Sequence, residues 1–185
     1  MMLYMKIKIF VFAMSCFTLT AFGQGGNSIE KRIDELVSQM TLQEKIGQMN
    51  QLTGMGLSKN MKESVKTGKV GTILNELNVE VVNELQRIAV EESRLHIPLI
   101  VARDVIHGFK TIFPIPLGQA ASWNPEVAEE GARVAAMEAS VTGIRWTFAP
   151  MIDVSRDPRW GRIAESCGED PYLTSRMGVA VVRGL

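Results

Sequence analysis

Cysteine, histidine and excess charge are the scarce things in this chain. There are two cysteines and two histidines among 185 residues, and 20 Lys and Arg balance 20 Asp and Glu. A chain with no net charge argues against a nucleic-acid partner, because a basic surplus supplies most of the affinity for a phosphate backbone. Cys16 lies in an apolar N-terminal stretch, which leaves Cys167 alone. One thiol can form neither an internal disulfide nor a zinc site. A catalytic cysteine would need a histidine partner, and neither His96 nor His107 has a nucleophile signature around it. Cys167, beside Gly168, reads as small apolar filler. No internal apolar run approaches the ~20 residues of a spanning helix. No strand-like stretch leads into a Gly-x-Gly-x-x-Gly turn or a Walker lysine motif, which removes the commonest nucleotide-binding readings.

What is present begins with an export signal. Lys6 and Lys8 precede the apolar stretch from Ile9, and small residues stand at Ala21 and Gly23. A basic start, a short apolar core and a small-residue exit make residues 1–23 a signal peptide, with cleavage expected after Gly23. The expected location is the periplasm. Lipidation at Cys16 and full secretion are the alternatives, although Phe17 and Leu19 fit a lipidation site poorly. Once the signal is removed, no spanning segment is expected.

Residues 24–27 are polar and Gly-rich and read as a linker. Ser28 is placed to cap a helix over 29–40, with Ile33, Leu36, Val37 and Met40 on one face. Thr41-Leu42-Gln43-Glu44 forms a capping box for a second helix reaching about Met49. Gln51 to Lys69 reads as loop with a short helix over 60–66. A rhythm then sets in. Strands are predicted at 70–74, 98–102 and 146–149. Helices are predicted at 79–93, 125–141 and 172–182, the last capped by Asp170. Apolar strands alternating with amphipathic helices predict parallel β/α units. The expected fold class is α/β, the N-terminal portion of a (β/α)8 TIM-type barrel. It would be incomplete here, since a full barrel takes about 250 residues. A small domain on a three-stranded sheet is the alternative, with open edges against it.

In that fold, chemistry sits on the loops that follow strands. Arg103-Asp104-Val-Ile-His107-Gly108 follows the second predicted strand, and Asp153 to Arg162 follows the third. An aspartate accepts hydrogen bonds in two directions and arginine donates from a rigid fork. Together they suit two neighbouring hydroxyls on a ring, with Trp160 as a flat wall for the C–H face of a sugar.

Four segments together carry a resemblance: Met40-Thr-Leu-Gln-Glu-Lys-Ile-Gly-Gln-Met49, Ala102-Arg-Asp-Val-Ile-His-Gly108, Thr111-Ile-Phe-Pro-Ile-Pro-Leu-Gly118, and Phe148-Ala-Pro-Met-Ile-Asp-Val-Ser-Arg-Asp-Pro-Arg-Trp-Gly-Arg162. Glu165-Ser and Glu169-Asp-Pro-Tyr172 follow them. In series these resemble the N-terminal domain of glycoside hydrolase family 3, close to its periplasmic β-glucosidase branch, over residues 28–185.

The resemblance implies that Asp104 binds hydroxyls of the terminal sugar and that Arg162 grips the same sugar. Some members carry an arginine where Lys110 stands, so Lys110 is a weaker substrate-binding candidate. Trp160 is either the stacking wall or core packing. Arg103, His107, Asp157 and Arg159 are expected to brace the loops, and Glu165 to orient Arg162 through a salt bridge. The family's nucleophile, in a Ser-Asp-Trp-type segment, and its acid/base have no counterpart in these residues. The implied activity is an exo-acting retaining β-glucosidase that needs no metal and no organic cofactor. The substrate would be a β-glucoside or oligosaccharide, and the rest of the same protein would be a partner. The chain alone is expected to be inactive. The rival readings are a β-xylosidase, an N-acetyl-β-hexosaminidase, or a non-catalytic carbohydrate-binding remnant.

Overall fold

The computed structural model describes residues 25–185, with side chains from Ser28 onward. The expected signal peptide, its cleavage point and Cys16 lie outside the described residues. The chain divides into two compact units, up to Thr41 and from Leu42 on.

In the first unit, helix α1 (Gly25–Gln39) starts earlier than the sequence suggests. Gly25 to Asn27 are helical, so the linker shortens and Ser28 lies inside the helix instead of capping it.

The second unit opens with α2 (Leu42–Gln48), at the position the capping box marks. Then come β1 (Gln51–Thr53), α3 (Lys59–Lys66), β2 (Thr72–Leu74) and α4 (Val79–Arg87), the last running into a wider helical turn at Ile88–Glu92. After β3 (Ile100–Arg103) follow α5 (Pro116–Ala120), α6 (Pro125–Ser140), β4 (Trp146–Thr147) and α7 (Pro171–Gly184). The helix starts are set by side-chain caps. Ser58, Asn78, Asn124 and Asp170 accept the amides of Met61, Val81, Glu126 and Tyr172, which satisfies donors that a first turn leaves orphaned.

The four strands are all parallel and lie in chain order, β1-β2-β3-β4. Gln51 pairs with Thr72, Ile73 with Val101, and Ala102 with Trp146. This is the α/β class and sequential winding expected from the sequence, with one strand more than it showed. The strand β1 was hidden because Gln51 and Thr53 flank a single apolar Leu52. Three residues carry too little pattern to separate a strand from a loop. The other strands are shorter than their apolar runs.

The helices cover one face of the sheet. Ile73 and Leu99 pack with Met61 and Val65 of α3 and Leu85 of α4. Val101 packs with Val82, Ala135, Ala139 and Ile144. A third cluster joins Ala120 and Ala128 to Met177 and Ala180, with Cys167 buried among them. Burial pushes the Cys167 thiol pKa above its usual value, which suits filler and not a nucleophile. Side chains alternate across a strand, and the other face is covered unevenly: Thr72 and Ala102 are buried, while Ile100, Trp146 and Phe148 are exposed. The Trp146 and Phe148 rings lie 4.9 Å apart between centroids. Among the described residues no helix is long and apolar enough to cross a membrane.

Candidate active site

The strand ends on one side of the sheet carry the loops of interest. Asp104 directly follows β3 and is exposed. Its neighbour Val105 is buried, and the Val105 amide donates to the Thr147 hydroxyl at the end of β4 (3.3 Å). The same hydroxyl accepts the Ala149 amide at 3.3 Å, just before a cis Ala149–Pro150 bond. One threonine thus ties the Asp104 loop to the loop holding Arg162.

That second loop is held by its own charges. Asp157 takes the Arg159 backbone amide (3.0 Å) and its guanidinium, with an Nη2–Oδ2 distance of 2.6 Å. The Arg159 fork therefore holds the Asp157 carboxyl below its ordinary pKa. A one-turn 3-10 helix, Ile163–Glu165, follows. It brings Glu165 back onto Arg162, with Nε donating at 3.2 Å and Nη2 at 2.8 Å. The hydrogen bonds that Arg162 donates to Glu165 raise the Arg162 pKa, and the negative charges of Glu165, Asp153 and Asp104 add to it. Asp104 and Arg162 thus sit on successive strand-end loops that the Thr147 hydroxyl ties together. The guanidinium is exposed, with one edge held by Glu165.

The other residues singled out from sequence take different places. His107 Nδ1–H donates to the Phe113 carbonyl (2.9 Å), and the Phe113 amide returns to the His107 carbonyl (2.8 Å). His107 closes its own loop. Gly108 makes that closure feasible: it sits at φ +123, and a Cβ there would lie 2.1 Å from the Thr111 carbonyl oxygen. Lys110 goes with α6. Its amide and that of Thr111 each donate to Glu138 Oε2 at 2.8 Å, and the Thr111 hydroxyl reaches Oε1 at 2.6 Å. The Glu138 pKa is lowered first by the Thr111 hydroxyl, with the Lys110 charge a smaller cause. Trp160 is half-buried and lines an open cleft with Val154, Ser155, Arg156, Asp157 and Arg159.

Two residues at this rim escaped the sequence reading. Asn75, just past β2, accepts the Arg103 guanidinium at 3.0 Å. Glu76 is the one buried charged residue among those described, and its carboxylate takes the amides of Gly56 and Asn78, each at 3.1 Å. The strand-end rule that singled out Asp104 would have found both, but Asn75 and Glu76 sit in no charged cluster. No group of three or more His, Cys, Asp or Glu side chains among the described residues is placed to hold a metal ion.

Residues 41–185 match the model of the glycosyl hydrolase family 3 N terminal domain. A periplasmic β-glucosidase of Salmonella typhimurium is 44% identical over 155 residues, which is 83% of this chain and 20% of that protein. A lysosomal β-glucosidase of Dictyostelium discoideum is 35% identical over 182 residues, 82% of this chain and 22% of that protein. Among solved structures, a β-glucosidase from Listeria innocua in complex with glucose matches with a TM-score of 0.75 and 42% identity. That match covers 83% of this chain and 23% of that one. The chain thus spans about a fifth of the length of these relatives.

Proposed function

The chain belongs to glycosyl hydrolase family 3, and on that footing we propose that it forms the front of the barrel of an exo-acting, retaining β-glucosidase. The placement of Asp104 and Arg162 on successive strand-end loops that Thr147 ties together carries this reading. A glucosyl ring offers adjacent hydroxyls. A carboxylate accepts two of them while a guanidinium donates to a third oxygen, so one ring engages both charges without leaving either unpaired. Glu165 holds one edge of the Arg162 fork, and Thr147 holds the two loops in register. Trp160 would offer the apolar wall.

Retaining hydrolysis needs two carboxyl groups about 5 Å apart, one attacking the anomeric carbon and one protonating the leaving oxygen. We assign neither role to this chain and place both in sequence beyond it. The chain's own share is to bind and orient the terminal sugar. Transfer of the glycosyl group to one carboxylate and then to water, with the other carboxyl as acid and then base, requires no metal or organic cofactor. Residues 1–23 would direct export to the periplasm. Alone, the chain would be inactive and of low stability, since Ile100, Trp146 and Phe148 stay in water.

The test is an aryl β-glucoside assay on the purified chain. No turnover is expected. Turnover that Asp104→Ala abolishes would overturn the division of labour proposed here. Glucose should still perturb the amide resonances around Asp104 and Arg162, and no perturbation at either would remove the sugar site itself.

A further inference from the structure

Asn75 sits in the left-handed region, at φ 64, immediately after β2. Non-glycine residues visit this region singly, asparagine more readily than most. They persist there when their surroundings over-determine them, and such positions cluster at functional sites. The surroundings here are specific. The Asn75 amide donates to the Ala102 carbonyl at 2.9 Å, which extends the β2–β3 ladder by one residue. Glu76 then anchors the loop on its far side by accepting the amides of Gly56 and Asn78. Gly54 lies so close that a Cβ on it would fall 2.8 Å from the Glu76 Cβ. Between these two anchors the Asn75 Oδ1 accepts the Arg103 guanidinium at 3.0 Å. Arg103 is the residue before Asp104.

From this geometry, and resting on the sugar-site reading above, we propose that Asn75 is a positioning residue for Asp104. It holds the Arg103 side chain against the β2 loop, and this fixes the backbone at the strand end where Asp104 departs. The Val105–Thr147 bond fixes the other side of Asp104. The aspartate is thereby clamped between two cross-strand bonds, one from each neighbouring strand end, before any sugar arrives. A carboxylate fixed in advance loses less freedom on binding, so the clamp acts on affinity for the glucosyl ring.

Four variants of the chain decide the matter, read by NMR with glucose as the probe. Asn75→Gly keeps the left-handed backbone at no steric cost and removes the acceptor. It should weaken glucose binding at least fivefold and speed hydrogen exchange of the Val105 amide in the absence of sugar. Asn75→Asp accepts the same guanidinium and tolerates the same backbone, so it should bind within twofold of the parent. Arg103→Ala should match Asn75→Gly, and the double variant should be no worse than either single, since both remove one interaction. Parent-like binding and exchange in Asn75→Gly would overturn the proposal, as would losses that add in the double variant. A parent chain that shows no glucose response, while Val105 exchange still quickens in Asn75→Gly, would sink the sugar site and leave the clamp standing.

Discussion

The Val105 amide and the Thr147 hydroxyl, 3.3 Å apart, join the loop that begins with Asp104 to the loop that ends with Arg162. They are separated by 42 residues in sequence, so this bond sets a distance that neither loop could set alone. Thr147→Val keeps the shape and β-preference of the side chain but deletes the acceptor. Two amides, those of Val105 and Ala149, then lose their partner. An unsatisfied, partly buried donor costs about 1–3 kcal/mol. Thr147→Val should lower chemical-denaturation stability by that order, and Thr147→Ser, which keeps the hydroxyl, should recover most of it.

Acid should loosen the Arg162 loop before it unfolds the sheet. The Arg162 fork holds the Glu165 pKa below its ordinary 4.5, and the Arg159 fork holds the Asp157 pKa below its ordinary 3.8. For carboxyls depressed in the folded state, the stabilisation is fully present above the ordinary value and is lost as pH falls through the folded value. Both pairs are solvent-exposed, so the effect is local and screened by salt. Carbon NMR titration of the Glu165 carboxyl should give a midpoint below 4.5, and Arg162→Gln should move it back up toward 4.5. An unmoved midpoint would mean the pair does not form in solution.

The sequence showed different parts of this molecule with different clarity, and the reasons are physical. The last helix announced itself through its cap: Asp170 sits one residue before a proline that cannot donate, and the helix starts there. Asp104 was found because a charge directly after an apolar strand has few structural excuses. The Glu165–Arg162 pair was readable from spacing of three residues, now seen as one turn of 3-10 helix. By contrast, β1 shows no periodicity in three residues, and its place in the sheet comes only from pairing Leu52 with Ile73. The bond from Arg103 to Asn75 joins residues 28 positions apart. No local pattern encodes it, because register between strands decides it. Lys110 illustrates the converse: its nearness in sequence to Asp104 says nothing about its partner, which is Glu138 on α6.

Gly108 should tolerate no side chain. Its φ of +123 lies where residues with a Cβ are strained, and the carbonyl oxygen of Thr111 stands 2.1 Å from where that Cβ would be. A backbone obstacle cannot swing away as a side chain would. Gly108→Ala must therefore open the turn that pairs Gly108 with Ile112 and break the reciprocal His107–Phe113 bonds. The expected cost is about 1–3 kcal/mol. Thermal denaturation should show it, and His107→Ala should show less, because it loses one hydrogen bond and adds no strain.

Substitutions at Arg162 separate charge from shape. Arginine presents a planar fork, and here one edge of it is committed to Glu165 through Nε and Nη2. The remaining donors are aimed by that commitment. Lysine at this position would keep the positive charge near Asp104 and Asp153 but could not hold Glu165 with one edge and a sugar hydroxyl with the other. In the whole enzyme, Arg162→Ala should lower kcat/KM by about 1.5–3 kcal/mol of transition-state binding, as loss of a charged hydrogen bond does. Arg162→Lys should recover less than half of that. Glu165→Gln should fall between, because the fork stays but its orientation is held by a neutral acceptor in place of a charged one. If Arg162→Lys is as active as the parent, the pocket needs only a cation, and the forked grip on the glucosyl ring is wrong.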